Sequence, residues 1–373
     1  MFTTESDTRA ASAALRLDYL PLERLKSQPS PWWRDVLGVV GFGRVPALGT
    51  QVPIGATMTP ALDCSADLCE VWRIEDARSR VSLRSAQLGR VHYRCCDDLL
   101  FGCLSVAENE LLGPGLAARA GTGADGARVD GASVDGGAQA LLRATELAYE
   151  EIFAVLDATQ HRHLIRIWNY LPEINASAGD EERYRLFNSA RQTAFRKSGR
   201  AIMGSVPAAC ALGSPAGSPI CIYFLAAHRP SKMIENPRQT SAYHYPPKFG
   251  KHSPIFSRAC IFSGPQQANL FISGTASIVG HETIHHGNAA AQTRETMANI
   301  NALLDEANRI AGSRRYSLDA LKFKVYVRHA ADLGSIQGVL SRELVDSPLY
   351  LQADVCREDL LVEIEATGEA RGA

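Results

Sequence analysis

This chain has no excess of either charge: over 373 residues the formal net charge is only −1, and no long basic block occurs. The electrostatic footprint of a nucleic-acid binder is therefore absent, and nucleic acid is not an expected partner. No apolar run approaches the roughly 18 residues that a membrane-spanning helix requires. The opening stretch MFTTESDTRAASAALR carries acids and lacks the apolar centre of a signal sequence, so a cytoplasmic location without a membrane partner is expected. The nine cysteines, an odd number, lie mostly inside apolar segments, a pattern that fits disulfides poorly. Cys95, Cys96, Cys103, Cys210, Cys221 and Cys260 sit inside apolar segments, where reduced, buried thiols are the expectation. The segment Gly113 to Gly137 is so rich in Gly, Ala and Asp that it cannot bury apolar surface and reads as a mobile loop. Its GTGADG piece lacks both the Lys-Ser/Thr pair of a phosphate loop and the acidic spacing of a calcium loop.

What is present is an ordinary globular composition, 46% apolar, in a chain long enough for two core-bearing domains. The second half reads strand (Asn269 to Ser277), helix (Ala291 to Ala307), strand (Leu321 to Arg328), helix (around Ser335 to Leu344), then SPLYLQADVCREDLLVEIE. The first half gives the same order: Asp97 to Val106, Leu141 to Ala158, His163 to Ile174, Glu182 to Arg196, then two apolar strands within Val206 to His228. Two copies of one αβ unit follow, with domains at 1–228 and 229–373 and an irregular leader before the first copy. Between the copies, Val362, Glu363, Ile364 and Glu365 of the second fall opposite the apolar run Cys221, Ile222, Tyr223 and Phe224 of the first.

That difference singles out a carboxylate in an apolar strand, where an ionisable group is costly unless it has a partner or a task. Glu363 and Glu365 share one orientation under period-two alternation, and the pattern does not choose between them. Cys356 and Arg357 lie just upstream. Asn236 to Cys260 packs Arg238, Tyr243, Tyr245 and Arg258 among prolines; rigid arginine forks and phenols suit carboxylate recognition. Arg183, Tyr184, Asn188 and Arg191 stand at helical spacing, as a solvated helix face or as a second anion-binding set. Together these sets suggest an anionic small-molecule substrate. His281-Glu282-Thr283-Ile284-His285 matches a zinc-protease motif formally, but Gly280 and Gly287 bracket it. A strand-to-helix loop is expected there in place of the helix that a metal site needs, so no metal is expected.

LFISGTASIVGHE, AAQTRETMANINALL and LLVEIEA resemble the Rid (reactive-intermediate deaminase) fold, a chorismate-mutase-like αβ unit that assembles as a trimer. The resemblance implies an α+β fold of two tandem Rid-like units, mixed sheets with helices on one face. Where Rid enzymes place an arginine before the last strand, this chain has Pro348 and Leu349, which argues against imine deamination. From about residue 90 onward, NYLPEIN, FNSARQTAF, NPRQTSAYHYP, SPIFSRA and CREDLLVEIE are similar to the chorismatases, which cleave the enolpyruvyl ether of chorismate and release pyruvate without a cofactor. This resemblance implies Glu363 as the catalytic acid, Cys356 as the cysteine of hydroxybenzoate-forming members, and Ala276 as a second product-determining position. Arg238, Tyr245, Arg258, Tyr243 and Arg191 are the implied substrate-binding groups. The expected reaction gives 3-hydroxybenzoate, with 4-hydroxybenzoate as a further product, and pyruvate. Hydrolysis to a dihydroxycyclohexadiene carboxylate, or a Rid-type deaminase or small-molecule binder, are the alternatives. The oligomeric state, monomer or trimer, stays open.

Overall fold

A computed structural model describes residues 13–370 except 44–45, 49, 66, 77–80, 112–130 and 265–266. Among the described residues no helix is long and apolar enough to cross a membrane. Of the Gly-rich segment expected to be a loop at 113–137, residues up to 130 lie outside the described set, and from Gly131 the chain is helical.

Residues before the first repeat are far from irregular: β1 (Ala13–Pro21), β2 (Val36–Phe42), β3 (Ile54–Thr57) and β4 (Leu68–Asp76) form a sheet of order β1-β4-β2-β3. All seven residues of β2 are buried, which the turn-rich flanks had masked in the sequence. The first repeat is β5 (Arg84–Leu88), β6 (Val91–Cys95), β7 (Leu99–Val106), α1 (Gly131–Thr159), β8 (His163–Pro172), α2 (Arg183–Lys197), β9 (Ala208–Ser214) and β10 (Ile220–Ala227). The second is β11 (Lys232–Ile234), β12 (Ala259–Ser263), β13 (Ala268–Thr275), α3 (Ala289–Ala311), β14 (Leu321–Val327), α4 (Leu333–Leu340), β15 (Leu349–Gln352) and β16 (Val362–Glu369). Their six-stranded sheets have one topology, β9-β8-β10-β7-β6-β5 and β15-β14-β16-β13-β12-β11, each with a single parallel pair. The fold is thus α+β, two tandem units of mixed sheet with helices on one face.

Local chemistry explains the helix-covered faces. In α3 the Asn288 side chain accepts from the Ala291 amide at 3.0 Å, and Gly312 ends the helix in the left-handed region. Met297, Ile300, Leu303, Leu304 and Ala307 form its buried stripe against the second sheet, and α1 with α2 covers the first sheet in the same way. The opposite faces of all three sheets, leader included, meet in one shared core. The leader sheet supplies the third face that two repeats alone lack.

At that core lies a buried ionic network to which every sheet contributes. Lys324 on β14 pairs with Glu70 of β4 and with Glu365 of β16, the latter at 2.9 Å, and donates to the Tyr223 hydroxyl at 2.9 Å. Arg166 pairs with Glu365, the Trp168 indole donates to Glu365 at 2.8 Å, and the Trp72 indole donates to Glu70 at 2.6 Å. The aligned repeat is also off by one residue. Cys221 and Tyr223 face this shared core while Ile222 and Phe224 face the helices, so the inward positions matching Glu363 and Glu365 are cysteine and tyrosine. A one-residue slip exchanges the two faces of a strand, which a comparison of apolar runs does not detect.

Replacing Lys324 by Met should leave two buried carboxylates without their shared cation and cost about 3–5 kcal/mol. Urea denaturation at pH 7 measures this, and an unchanged midpoint contradicts it.

Candidate active site

A cavity of about 410 Å³ opens between the two repeats. The second repeat contributes Glu363 from β16, Gly274 from the end of β13, Ala276 and Ile278 just beyond it, and the segment Cys356 to Leu360. The first contributes Asn175 from the turn after β8, and Glu182, Tyr184 and Arg185 at the start of α2. The proline-rich strap after β11 closes the remaining side with Tyr245, Phe249, Pro254, Phe256 and Arg258.

Of the two acids that the sequence left undecided, Glu363 lines the cavity and Glu365 does not. Glu365 is held in the ionic network, where Lys324 and Arg166 outweigh burial and keep its carboxyl below the usual range. Glu363 is 4% exposed. Burial above all, and then the fixed negative charge of Glu365, push its carboxyl up to about 8 against the opposing pull of Arg166, Arg258 and Arg328. It therefore carries its proton at neutral pH. Gly274 makes the space it occupies: a Cβ there would overlap Glu363 Oε1 and stand 3.0 Å from Cys210 Cβ.

Cys356 lies beside this acid. Burial first, and then Glu363, push its thiol up to about 12, so it is a neutral thiol and no nucleophile at pH 7. It packs on the small cluster of Ala276, Ile278, Val355 and Leu360, which brings together the two residues that the chorismatase resemblance links to product choice.

Two guanidinium groups on the cavity wall have unused donors. Arg258, 4% exposed, gives Nη2 to the Thr240 carbonyl and the Tyr245 hydroxyl, both at 2.7 Å, while its buried Nε has no partner. Arg357 gives Nη1 to the His281 carbonyl at 2.9 Å, lies 4.1 Å over the Phe249 ring, and leaves its buried Nη2 without a partner. Both side chains line the cavity, and guanidinium groups in such a wall favour an anionic ligand. Beneath them Arg328 ties Asn175, Asp354 and the carbonyls of Val355, Arg357 and Leu360, and so fixes the loop that carries Cys356.

The remaining expected residues stand elsewhere. Arg238 is bound to Asn299 at 2.6 Å and Glu295 at 2.5 Å, away from the cavity lining. Tyr243 stands beside Glu235 and Ser241. Arg191 lies under the cavity among the rings of Tyr149, Phe187 and Phe195. Arg357, Asn175 and Phe249 reach the cavity although no binding role was read for them, adjacency to Cys356 being the available signal for Arg357; Tyr184 reaches it from the helix-face set that was read as solvated or anion-binding. The His281 to His285 run is not a helix: Glu282–Thr283 is a short strand and His285 has φ 61°. His281 approaches Glu282 at 3.1 Å and His285 approaches Glu295 at 3.5 Å, so the two imidazoles turn to different carboxylates.

The fold and this cavity define an enzyme class: two tandem αβ units that bring a buried carboxylic acid and two guanidinium groups to one cavity. Residues 125–226 match the family described as "Chorismatase FkbO/Hyg5-like, N-terminal". The chain is 38% identical over 235 residues to a 3-hydroxybenzoate synthase of Streptomyces hygroscopicus, covering 60% of this chain and 68% of the relative. It is also 38% identical over 232 residues to a chorismatase of Streptomyces rapamycinicus, covering 59% and 68%. A crystal structure of a chorismatase superposes with a TM-score of 0.78 at 28% identity, covering 96% of this chain and 99% of that one. The chain belongs to the chorismatase family.

Gly274→Ala should displace the acid from its seat, costing about 1–3 kcal/mol of stability and most of the turnover. Thermal unfolding and a turnover assay on the same preparation check both effects, and full activity contradicts the seating role.

Proposed function

We propose that this enzyme converts chorismate to 3-hydroxybenzoate and pyruvate, with Glu363 as the general acid. The observation that carries the reading is a carboxyl group, buried and thereby pushed up to about 8, in one cavity with the guanidinium groups of Arg258 and Arg357. Chorismate has two carboxylates, and Arg258 and Arg357 supply one guanidinium group for each. An enol ether is cleaved by protonating its vinyl carbon or by assisting the departure of its oxygen, and both need an acid that is still protonated at the working pH. The two products together contain all the atoms of chorismate, so the aromatic route consumes no water, whereas the hydrolytic route adds one. The neutral thiol of Cys356, beside Ala276, bounds the space over the ring and thereby favours the aromatic route; the role of the pair is steric and hydrogen-bonding, since the thiol is not ionised. A cytoplasmic location agrees with a reaction on a soluble metabolite.

Glu363→Gln should abolish pyruvate release while leaving the protein folded; retained turnover refutes the assignment. With the protonated form active, kcat/KM should be flat below pH 8 and fall tenfold per pH unit above it. The linked stability has the same sign: the native state holds this proton more tightly than the unfolded chain, so its contribution is full below pH 4.5, declines as pH rises and is gone above about 8. Glu363→Gln should remove that decline from the stability profile. Cys356→Ala should shift the product towards the non-aromatic dihydroxy acid, resolved by chromatography, and an unchanged product ratio removes the thiol from the mechanism.

A further inference from the structure

Tyr184, Asn188 and Arg191 occupy one face of α2, at positions i, i+4 and i+7, and lead inward from the cavity wall. Arg191 is 2% exposed, and among the described residues no carboxylate lies within ion-pair distance of it. Its Nε and Nη2 have no hydrogen-bond partner, and its guanidinium is flanked by Tyr149 at 5.4 Å, Phe195 at 5.6 Å and Phe187 at 6.0 Å. A buried cation without a counter-ion is expensive to keep and projects positive potential into the nearest polar space. That space holds the Tyr184 hydroxyl. Asn188 stands beside this phenol, and its buried Oδ1 accepts no hydrogen bond, the phenol's included. The phenol proton therefore remains free to donate. Burial first, and then the neighbouring Cys356 and Glu363, keep it attached by raising the phenol well above its ordinary 10. No hydrogen bond joins Tyr184 to Glu363 or Cys356, so the acid does not use that donor.

We propose that Tyr184, supported by Asn188 and the counter-ion-free guanidinium of Arg191, is a substrate-contacting hydrogen-bond donor that the first repeat extends to the ring hydroxyl of the ligand beside the cleaved ether. This deepens the chorismate reading and rests on it. The carboxylates of the ligand match the guanidinium groups of Arg258 and Arg357, whereas a neutral phenol suits an uncharged oxygen. Its place next to Cys356 and Glu363 puts that oxygen where the ring chemistry occurs. The first repeat, which has a cysteine in place of the acid, thus contributes to catalysis through its helix.

The test compares pyruvate release from chorismate by the wild-type protein, Tyr184→Phe and Asn188→Asp, each with a thermal melt. Tyr184→Phe keeps the ring and the charge balance; kcat/KM should fall about tenfold or more, as for the loss of one hydrogen bond to a ligand, with the alkaline limb unmoved. In Asn188→Asp the new carboxylate faces Arg191 as a counter-ion and accepts the phenol proton, so turnover should fall similarly while the melting temperature is kept or raised. A purely structural role requires activity to follow stability in both variants. Wild-type rates in Tyr184→Phe, or in Asn188→Asp should the first variant not fold, overturn this inference alone. An inactive wild-type protein overturns the chorismate reading and this inference with it.

Discussion

Two carboxylates project from one face of one strand into a dry interior, and such neighbours do not both ionise at ordinary pH. The structure resolves the conflict by unequal supply. Glu365 receives Lys324, Arg166 and the Trp168 indole and holds its charge; Glu363 has guanidinium groups only at greater range and keeps its proton. The charged member is thus part of the reason the other is an acid. That asymmetry converts a structural ion network into a reagent.

Assembly of the network requires all three sheets, because Glu70 comes from the leader, Arg166, Trp168 and Tyr223 from the first repeat, and Lys324 with Glu365 from the second. Duplication alone would leave one inner face bare. The leader sheet covers it, and the cavity sits at the seam of the two repeats, where their sequences have diverged most in purpose. One repeat supplies the acid and the thiol; the other supplies the helix face with Tyr184 and a wall of the pocket.

Much of this was legible in the residues themselves. Helix and strand order in both halves followed from apolar periodicity, and the position of an acid in an apolar strand marked the reactive centre. Strand alternation did not separate Glu363 from Glu365, which share a face, and only the family resemblance pointed to Glu363; the physical choice depends on Lys324 and Arg166, which are distant in sequence. Arg238 looked like a ligand group because it lies in the proline-rich strap, yet Asn299 and Glu295 of α3 claim its guanidinium. Arg357 drew no binding role because charge beside a thiol has no period to betray it. The pairing of the leader strands into a sheet was hidden by flanking Pro and Gly, which punctuate the short strands and made the stretch read as an irregular leader plus strands.

The central claim concerns where one proton resides, and it is measured without turnover. In protein carrying carboxyl-labelled glutamate, NMR titration compared with the Glu363→Gln variant isolates this single resonance. The account predicts a carboxyl group that titrates near pH 8; the same resonance titrating in the ordinary glutamate range, near 4.5, would contradict it.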